Sequence, residues 1–265
     1  MYFTMENIRD LLEAKYHHYN RPEFIASDPI QIPHLFTLRE DIEIAGFLTA
    51  TLAWGQRKTI INKAAELMGL LNNKPFSFVT KAPETEFSRF ERFCHRTFNT
   101  TDTLYFLHAL KFIYTRCGGL MQIFEEGFRK DHHAGKAIAH FRDVFLKPEH
   151  PARTRKHLPD VNLGSPAKRL NMFLRWMVRN DNRGVDFGLW KNIDPAWLCI
   201  PLDLHTGNTA RNMGLLTRKQ NDWQAVCELT EHLRTFDPSD PVKYDFALFG
   251  LSATPTGYNP QNYVS

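Results

Sequence analysis

The sequence predicts an all-α protein, and three observations carry that prediction. Apolar residues recur at spacings of three and four along most of the chain, which is the period of an amphipathic helix. Strict alternation of apolar and polar residues over strand lengths is missing. Glycine and proline fall mostly between the periodic segments, as at Pro29, Pro33, Pro75, Gly118, Gly119, Pro148, Pro159 and Gly164.

Five segments show the helical period most clearly. In chain order, their apolar positions are Ile8, Leu11 and Leu12; Ile44, Phe47, Leu48 and Leu52; Phe106, Leu110 and Ile113; Leu170, Phe173, Leu174 and Met177; and Val226, Leu229 and Leu233. A length of 265 residues with 43% hydrophobic content is enough for one large domain or two small ones. We expect two helical subdomains with a cleft between them. Residues 40–180 would form a central bundle, and residues 1–39 with 181–265 would form the second subdomain.

Composition excludes several classes of protein. The four cysteines are far apart in the sequence, so neither a zinc cluster nor an iron-sulfur loop can be built locally, and we expect reduced thiols in a cytoplasmic protein. Residues 1–19 carry acids among interrupted apolar residues, so we expect no signal peptide, and no stretch is apolar enough to cross a membrane. The net charge of +4 permits a polyanionic partner without requiring one.

A glycine-containing turn precedes the helix that carries Lys168. In Gly164-Ser165-Pro166-Ala167-Lys168, we expect Ser165 to be the N-cap and Pro166 to occupy the first helical position. Backbone amides at Gly164 and Ser165 can then bind a phosphate. The alternative is an ordinary capped helix, with Lys168 and Arg169 in solvent.

An aspartate opens the next helix. Asp203 is predicted to be the N-cap of a helix from Leu204 to about Met213, with Gly214 following it in the C′ position. A carboxylate held by helix amides stays ionised near neutral pH, and it can stabilise positive charge that develops on the anomeric carbon of a sugar. We interpret the adjacent His205 as a hydrogen-bonding residue rather than a base.

A basic, proline-rich segment precedes this region. Residues 147–163 include Arg153, Arg155 and Lys156, which can contact phosphates. The alternative is a solvated loop, because basic runs usually face water.

These residues together resemble the helix-hairpin-helix DNA glycosylases. The order of a glycine-containing turn, Lys168, an apolar helix and then Pro201-Leu202-Asp203-Leu204-His205 is similar to that of the endonuclease III-like enzymes. The archaeal 8-oxoguanine glycosylase branch is the closest, since it also lacks an iron-sulfur cluster and also has a long gap between lysine and aspartate. In this chain the gap is 35 residues, from 203 minus 168. Residues 161–167 depart from that superfamily's usual Leu-Pro-Gly-Val-Gly hairpin. The whole chain also resembles an uncharacterised bacterial family of similar length.

The resemblance implies a DNA glycosylase with AP lyase activity on an oxidised base such as 8-oxoguanine. It implies that Lys168 attacks the anomeric carbon and that Asp203 stabilises the transition state, without a cofactor, a metal or an iron-sulfur cluster. An upstream apolar helix ending in Gln56 is similar to the superfamily's lesion-reading helix, so Gln56 would reach the extruded base and Trp54 would stack on it. The implied partner is damaged double-stranded DNA, bound by a monomer.

Two alternatives stay open. A module derived from the same fold could bind nucleic acid without cleaving it, and its binding would be insensitive to Lys168→Ala. A metal-dependent hydrolase could use scattered histidines such as His132, His133 and His140, although these form no His-Glu-x-x-His pattern.

Overall fold

The computed structural model describes residues 4–252 of the chain. Over this range it contains α-helices and short 3-10 helices and no β-strand, so the predicted all-α class is confirmed. The α-helices are α1 Met5–Tyr19, α2 Arg39–Leu52, α3 Arg57–Leu70, α4 Pro75–Lys81, α5 Thr100–Arg116, α6 Leu120–Phe128, α7 Ala134–Phe145, α8 Lys168–Val178, α9 Leu204–Asn212, α10 Trp223–Phe236 and α11 Asp245–Ser252.

The helices group into two compact units. Among the described residues, the central unit comprises residues 25–160, and the terminal unit comprises residues 4–24 with residues 161–252. The sequence-based boundaries were 40 and 181, so the structure assigns α8 to the terminal unit rather than to the central bundle. Contacts from α8 explain this assignment, because its backbone carbonyls at Trp176 and Met177 accept hydrogen bonds from Phe187 and Trp190 farther along the chain.

The core of the central unit is built around α2. Every residue from 42 to 52 in this helix is buried, as expected of a helix that is mostly apolar around its whole circumference. The Phe47 ring stacks on Phe106 of α5 at 5.8 Å and packs edge-on against Phe141 of α7 at 5.4 Å. Interlocked aromatic rings of this kind give the unit a large buried apolar area.

The core of the terminal unit includes a helix that is both apolar and charged. Residues 170–178 of α8 are all buried, and they include Arg175 as well as Phe173 and Trp176. Phe173 packs edge-on against Trp190 at 5.4 Å. Because a buried arginine is stable only when it is paired, the polar side of α8 must face carboxylates.

None of the helices within residues 4–252 is long and apolar enough to cross a membrane.

Candidate active site

Lys168 is the first residue of α8. The helix begins two residues later than the sequence predicted, because Ala167 and not Ser165 is its N-cap, and Pro166 lies before the helix. Ala167 adopts a left-handed conformation with φ of 47°. The Ser165 hydroxyl accepts a hydrogen bond from the Ala167 backbone N–H at 3.3 Å, so it stabilises the turn and does not cap the helix. This turn fixes the position of Lys168 at the start of the helix.

The turn before Lys168 is held by a distant helix. The carbonyl of Gly164 accepts a hydrogen bond of 3.0 Å from the backbone N–H of Trp223, the first residue of α10. Gly164 has φ of 85°, a conformation that favours glycine, and its own N–H donates to the Val161 carbonyl at 3.1 Å. The predicted phosphate contact through this amide would therefore compete with an existing hydrogen bond.

Asp203 is the N-cap of α9, as the sequence predicted. Its carboxylate accepts a hydrogen bond of 3.0 Å from the Thr206 backbone N–H, and its backbone is extended. The helix ends at Asn212, and Gly214 follows with φ of 74° in the C′ position. Asn221 donates from its side-chain amide to the Asp203 carbonyl at 3.1 Å. Both backbone and side chain of Asp203 are therefore fixed.

The fold brings Lys168 and Asp203 together. Lys168 Nζ lies 3.8 Å from Asp203 Oδ2, and the two side chains are 29% and 31% exposed. A half-exposed pair at this distance contributes little to stability, so stability alone gives no reason for the pairing. The amine and the carboxylate each lie at the start of a helix, and both remain accessible to solvent.

A buried row of charges continues inward from this pair. Arg175 follows Lys168 by seven residues in α8, and Arg179, the C-cap residue of this helix, follows Lys168 by eleven, so the three cations lie along one side of α8. Arg175 Nε contacts Asp186 at 3.2 Å, and Arg175 Nη1 pairs with Asp245.

Arg179 ends the row as a fully buried hub. It contacts Asp186 at 3.1 Å, Asp181 at 2.8 Å and Asp240 at 2.8 Å, and it donates to the Tyr16 hydroxyl at 2.8 Å. These carboxylates surround its guanidinium, so the desolvated cation is neutralised within the unit.

Asp245 is the member of the row that sequence reasoning missed. It begins α11, and its side chain is only 10% exposed. Burial raises the pKa of Asp245 to about 6; Arg175 and Lys168 oppose this rise, while Asp203 and Asp186 add to it. The available signal was an acid that precedes the mostly apolar segment 246–252 at the start of a helix.

The other predicted residues of the terminal unit have different surroundings. His205 is exposed on the first turn of α9, which does not favour the hydrogen-bonding interpretation. Arg169 is half-buried, and burial lowers the pKa of its guanidinium, so it is not a freely solvated cation.

The basic segment forms a 3-10 helix, Ala152–His157, in the central unit. Arg153 contacts the fully buried Asp102 at 3.2 Å and also donates to the Thr97 carbonyl at 3.1 Å. Arg155 donates to His150 Nε2 at 2.9 Å, and Lys156 is exposed. Two of the three predicted phosphate contacts are thus already engaged in holding this unit together.

Trp54 and Gln56 also belong to the central unit, so the predicted site residues are divided between the two units. The helix α2 ends at Leu52, and Gln56 is exposed as the N-cap of α3 rather than as the end of the apolar helix. The Arg96 guanidinium lies 5.3 Å from the Trp54 ring centroid. His95 packs edge-on against the same ring at 6.1 Å. A base that stacked on Trp54 would have to compete with these contacts.

Across residues 4–252, no group of three or more histidine, cysteine, aspartate or glutamate side chains is placed to hold a metal ion.

Comparison with known proteins gives a family and no activity. No curated protein and no solved structure shows significant similarity to the chain. Residues 28–254 match the family model described as "Protein of unknown function (DUF2400)", and this range includes Lys168, Asp203 and Asp245. Because the match covers most of the chain, the protein belongs to the DUF2400 family.

Proposed function

We propose that this protein is a DNA glycosylase with AP lyase activity on an oxidised base such as 8-oxoguanine. We propose with it a helix-hairpin-helix type of fold, in which the turn at residues 161–167 takes the place of the hairpin. The observation that carries the proposal is the 3.8 Å contact between Lys168 Nζ and Asp203 Oδ2, across 35 residues of sequence. It supports the proposal because an amine beside a carboxylate is the pair that imine-forming glycosylases need.

The proposed reaction uses the lone pair of the Lys168 amine. This lone pair forms a bond to C1′ of the damaged nucleoside while the glycosidic C–N bond breaks, and the base leaves with that electron pair and takes up a proton. Positive charge develops on the sugar during this step, and the Asp203 carboxylate lies on the amine side to stabilise it. Because Thr206 holds the carboxylate through its backbone N–H, this stabilisation requires little reorganisation.

The covalent intermediate then permits strand cleavage. The attached nitrogen loses a proton, and its lone pair forms a double bond to C1′ as the C1′–O4′ bond breaks. O4′ leaves with that bond's electron pair and takes up a proton, which gives a protonated imine between Lys168 and C1′. Loss of a proton from C2′ then breaks the C3′–O bond and releases the phosphate by β-elimination. The partner is a damaged DNA duplex, and we propose that the monomer binds it in the cytoplasm.

Borohydride trapping tests this proposal directly. The native protein is incubated with a duplex carrying 8-oxoguanine and, separately, with an abasic-site duplex, and borohydride then reduces any imine to a stable adduct. We expect an adduct with the native protein, no adduct with Lys168→Ala, and a slower reaction with Asp203→Asn.

A matched control separates loss of the nucleophile from loss of a charge. Lys243 is also a partly buried lysine of the terminal unit, and it pairs with Asp237 at 2.7 Å and Glu13 at 2.8 Å. Lys243→Ala should retain the adduct. If neither duplex gives an adduct with the native protein, the glycosylase proposal is wrong. DNA binding that is unchanged in Lys168→Ala would then favour the non-catalytic module.

A further inference from the structure

One short segment contacts both halves of the candidate site. Asn221 donates from its side-chain amide to the Asp203 carbonyl at 3.1 Å, and the Trp223 backbone N–H donates to the Gly164 carbonyl at 3.0 Å. Asp203 supplies the carboxylate of the site, and Gly164 belongs to the turn that leads into Lys168. This segment therefore bridges two parts of the chain that lie 39 residues apart, from 203 minus 164.

Asn221 is the residue of this segment that contacts Asp203, and its side chain is held at both ends. The Asp203 carbonyl already accepts a hydrogen bond of 2.9 Å from the Gly207 N–H within α9, so the Asn221 amide is its second donor. At the other end, Asn221 Oδ1 accepts a hydrogen bond of 2.5 Å from Arg211, whose Nε donates to the Arg218 carbonyl at 2.8 Å. An amide that is bonded through both its donor and its acceptor has one preferred orientation.

The packing of α9 leaves room for Asn221 only because position 207 has no side chain. A Cβ added at Gly207 would lie 2.7 Å from Asn221 Oδ1 and 2.9 Å from Arg211 Nη1, closer than nonbonded atoms approach. Gly207 lies inside α9, where glycine is less favourable for helix formation than alanine. The glycine at this position therefore serves the contact with Asn221 rather than the stability of the helix.

We infer that Asn221 is a positioning residue that sets the approach of the Asp203 carboxylate to the Lys168 amine. The inference rests on the proposed function, in which these two groups act on one sugar. The hydrogen bond from the Thr206 N–H fixes the carboxylate relative to α9. Asn221 fixes the start of α9 relative to the segment that also holds the turn before Lys168. The two halves of the site are thus built locally, and their 3.8 Å contact depends on this third segment.

A zero-length cross-link measures this approach without DNA. A water-soluble carbodiimide converts a carboxylate into an O-acylisourea; the lysine amine attacks its carbonyl carbon, a urea leaves, and an amide joins the two side chains. Mass spectrometry of peptides from the full-length protein then quantifies the Lys168–Asp203 amide. The Lys243–Asp237 pair, at 2.7 Å in the same unit, is the internal reference for folded protein.

Two variants disturb the contact in different ways. Asn221→Ala removes both hydrogen bonds of the side chain, whereas Gly207→Ala keeps Asn221 and displaces its amide. In both variants we expect the Lys168–Asp203 yield to fall about fivefold relative to the reference, the factor that one hydrogen bond typically contributes to an equilibrium. Asn212→Ala is the matched control, because Asn212 is an exposed asparagine at the end of the same helix, and this variant should keep the native ratio.

The trapping assay separates positioning from DNA binding. Asn221→Ala should lower the rate constant of adduct formation about fivefold and leave the duplex concentration at half-maximal rate unchanged, because a positioning residue acts on the reaction and not on affinity. A change in that concentration alone would assign Asn221 to DNA binding and overturn the inference.

An unchanged cross-link ratio in Asn221→Ala or Gly207→Ala would overturn the inference, and so would an equal fall in Asn212→Ala. A native protein that forms the reference amide but no Lys168–Asp203 amide would overturn it as well. The cross-link uses no DNA, so its outcome is independent of trapping. Failure of trapping together with the expected cross-link ratios would count against the glycosylase proposal alone.

Discussion

Replacing Asp245 by asparagine should stabilise the protein at pH 8, although it removes an ion pair. Asp245 is buried against Arg175, and burial raises its pKa from its ordinary value of 3.8 to about 6 in spite of the attraction of Arg175 and Lys168. For a carboxyl whose folded pKa is raised, the native state binds the proton more tightly than the unfolded state does. The charged form of Asp245 therefore opposes folding, and this effect grows as the pH rises from about 4 to above 6.

The magnitude follows from the gap between the two pKa values. About two pH units at about 1.4 kcal/mol per unit correspond to about 3 kcal/mol at pH 8, when Asp245 is fully ionised in both states. At pH 5 the same linkage gives a smaller effect, about 2 kcal/mol, because the native carboxyl is then mostly protonated. The stability difference between Asp245→Asn and the native protein should thus rise by about 1 kcal/mol from pH 5 to pH 8.

Urea unfolding followed by tryptophan fluorescence measures this difference at each pH, and Asp181→Asn supplies a control of opposite sign. Burial alone would raise the pKa of Asp181, but Arg179 and hydrogen bonds from Arg183, Tyr16 and Asn20 outweigh burial and lower it. Ionised Asp181 therefore stabilises the fold, and Asp181→Asn should be less stable than the native protein at pH 8. The difference should shrink as the pH falls through the folded pKa of Asp181. If Asp245→Asn loses stability at pH 8 as Asp181→Asn does, the Arg175 pair outweighs burial and the reasoning is refuted.

Three further predictions concern caps, packing and buried charge. Asp203→Ala removes the N-cap of α9 and should lower the free energy of unfolding by about 1 kcal/mol. Asp203→Asn can still cap the helix and should unfold near the native urea midpoint. Equal losses in the two variants would argue against capping. A Cβ at Gly127 would lie 2.6 Å from the α7 backbone, so Gly127→Ala should lower the free energy of unfolding in urea by about 1–3 kcal/mol. A Cβ at Gly69 would lie in open space, so Gly69→Ala should raise that free energy by up to about 1 kcal/mol. Arg179→Met should lower the stability of the fold by about 3–5 kcal/mol, because it leaves buried carboxylates unpaired. Lys63→Ala breaks an exposed pair and should lower the stability by less than about 1 kcal/mol. Similar thermal shifts for the two variants would contradict the assignment of Arg179 as a hub.

Local signals explain why one half of the candidate site was predictable. The N-cap at Asp203, the helix that follows and its end at Gly214 depend on residues within about ten positions, so the sequence contains all of the interactions that fix them. The start of α8 was predicted two residues too early. The decisive contact there is the hydrogen bond from Trp223 N–H to the Gly164 carbonyl, which spans 59 residues, from 223 minus 164, and leaves no local pattern.

Long-range packing also changed the interpretation of Trp54. The sequence placed this ring beside Gln56 as a stacking platform, whereas Arg96 and His95 pack against it. A tryptophan ring packs favourably against many cations and aromatic rings. Which of them it contacts here depends on how the segment after α2 packs against the distant segment that contains His95 and Arg96. Arg153 also has a long-range partner that the sequence did not reveal, the buried Asp102, and its contact with phosphate stays a prediction.

The helical class of this protein, the N-cap at Asp203 and the candidacy of Lys168 and Asp203 could all be derived from the sequence alone. Those features depend on the period of apolar residues and on side chains that bond to neighbouring backbone amides. The contact between Lys168 and Asp203, and the pairing of Asp245 with Arg175, follow only from the tertiary fold. These partners come from chain segments tens of residues apart. Leaving a buried charge unpaired is costly, and this cost, not a local preference, selects which carboxylates face α8.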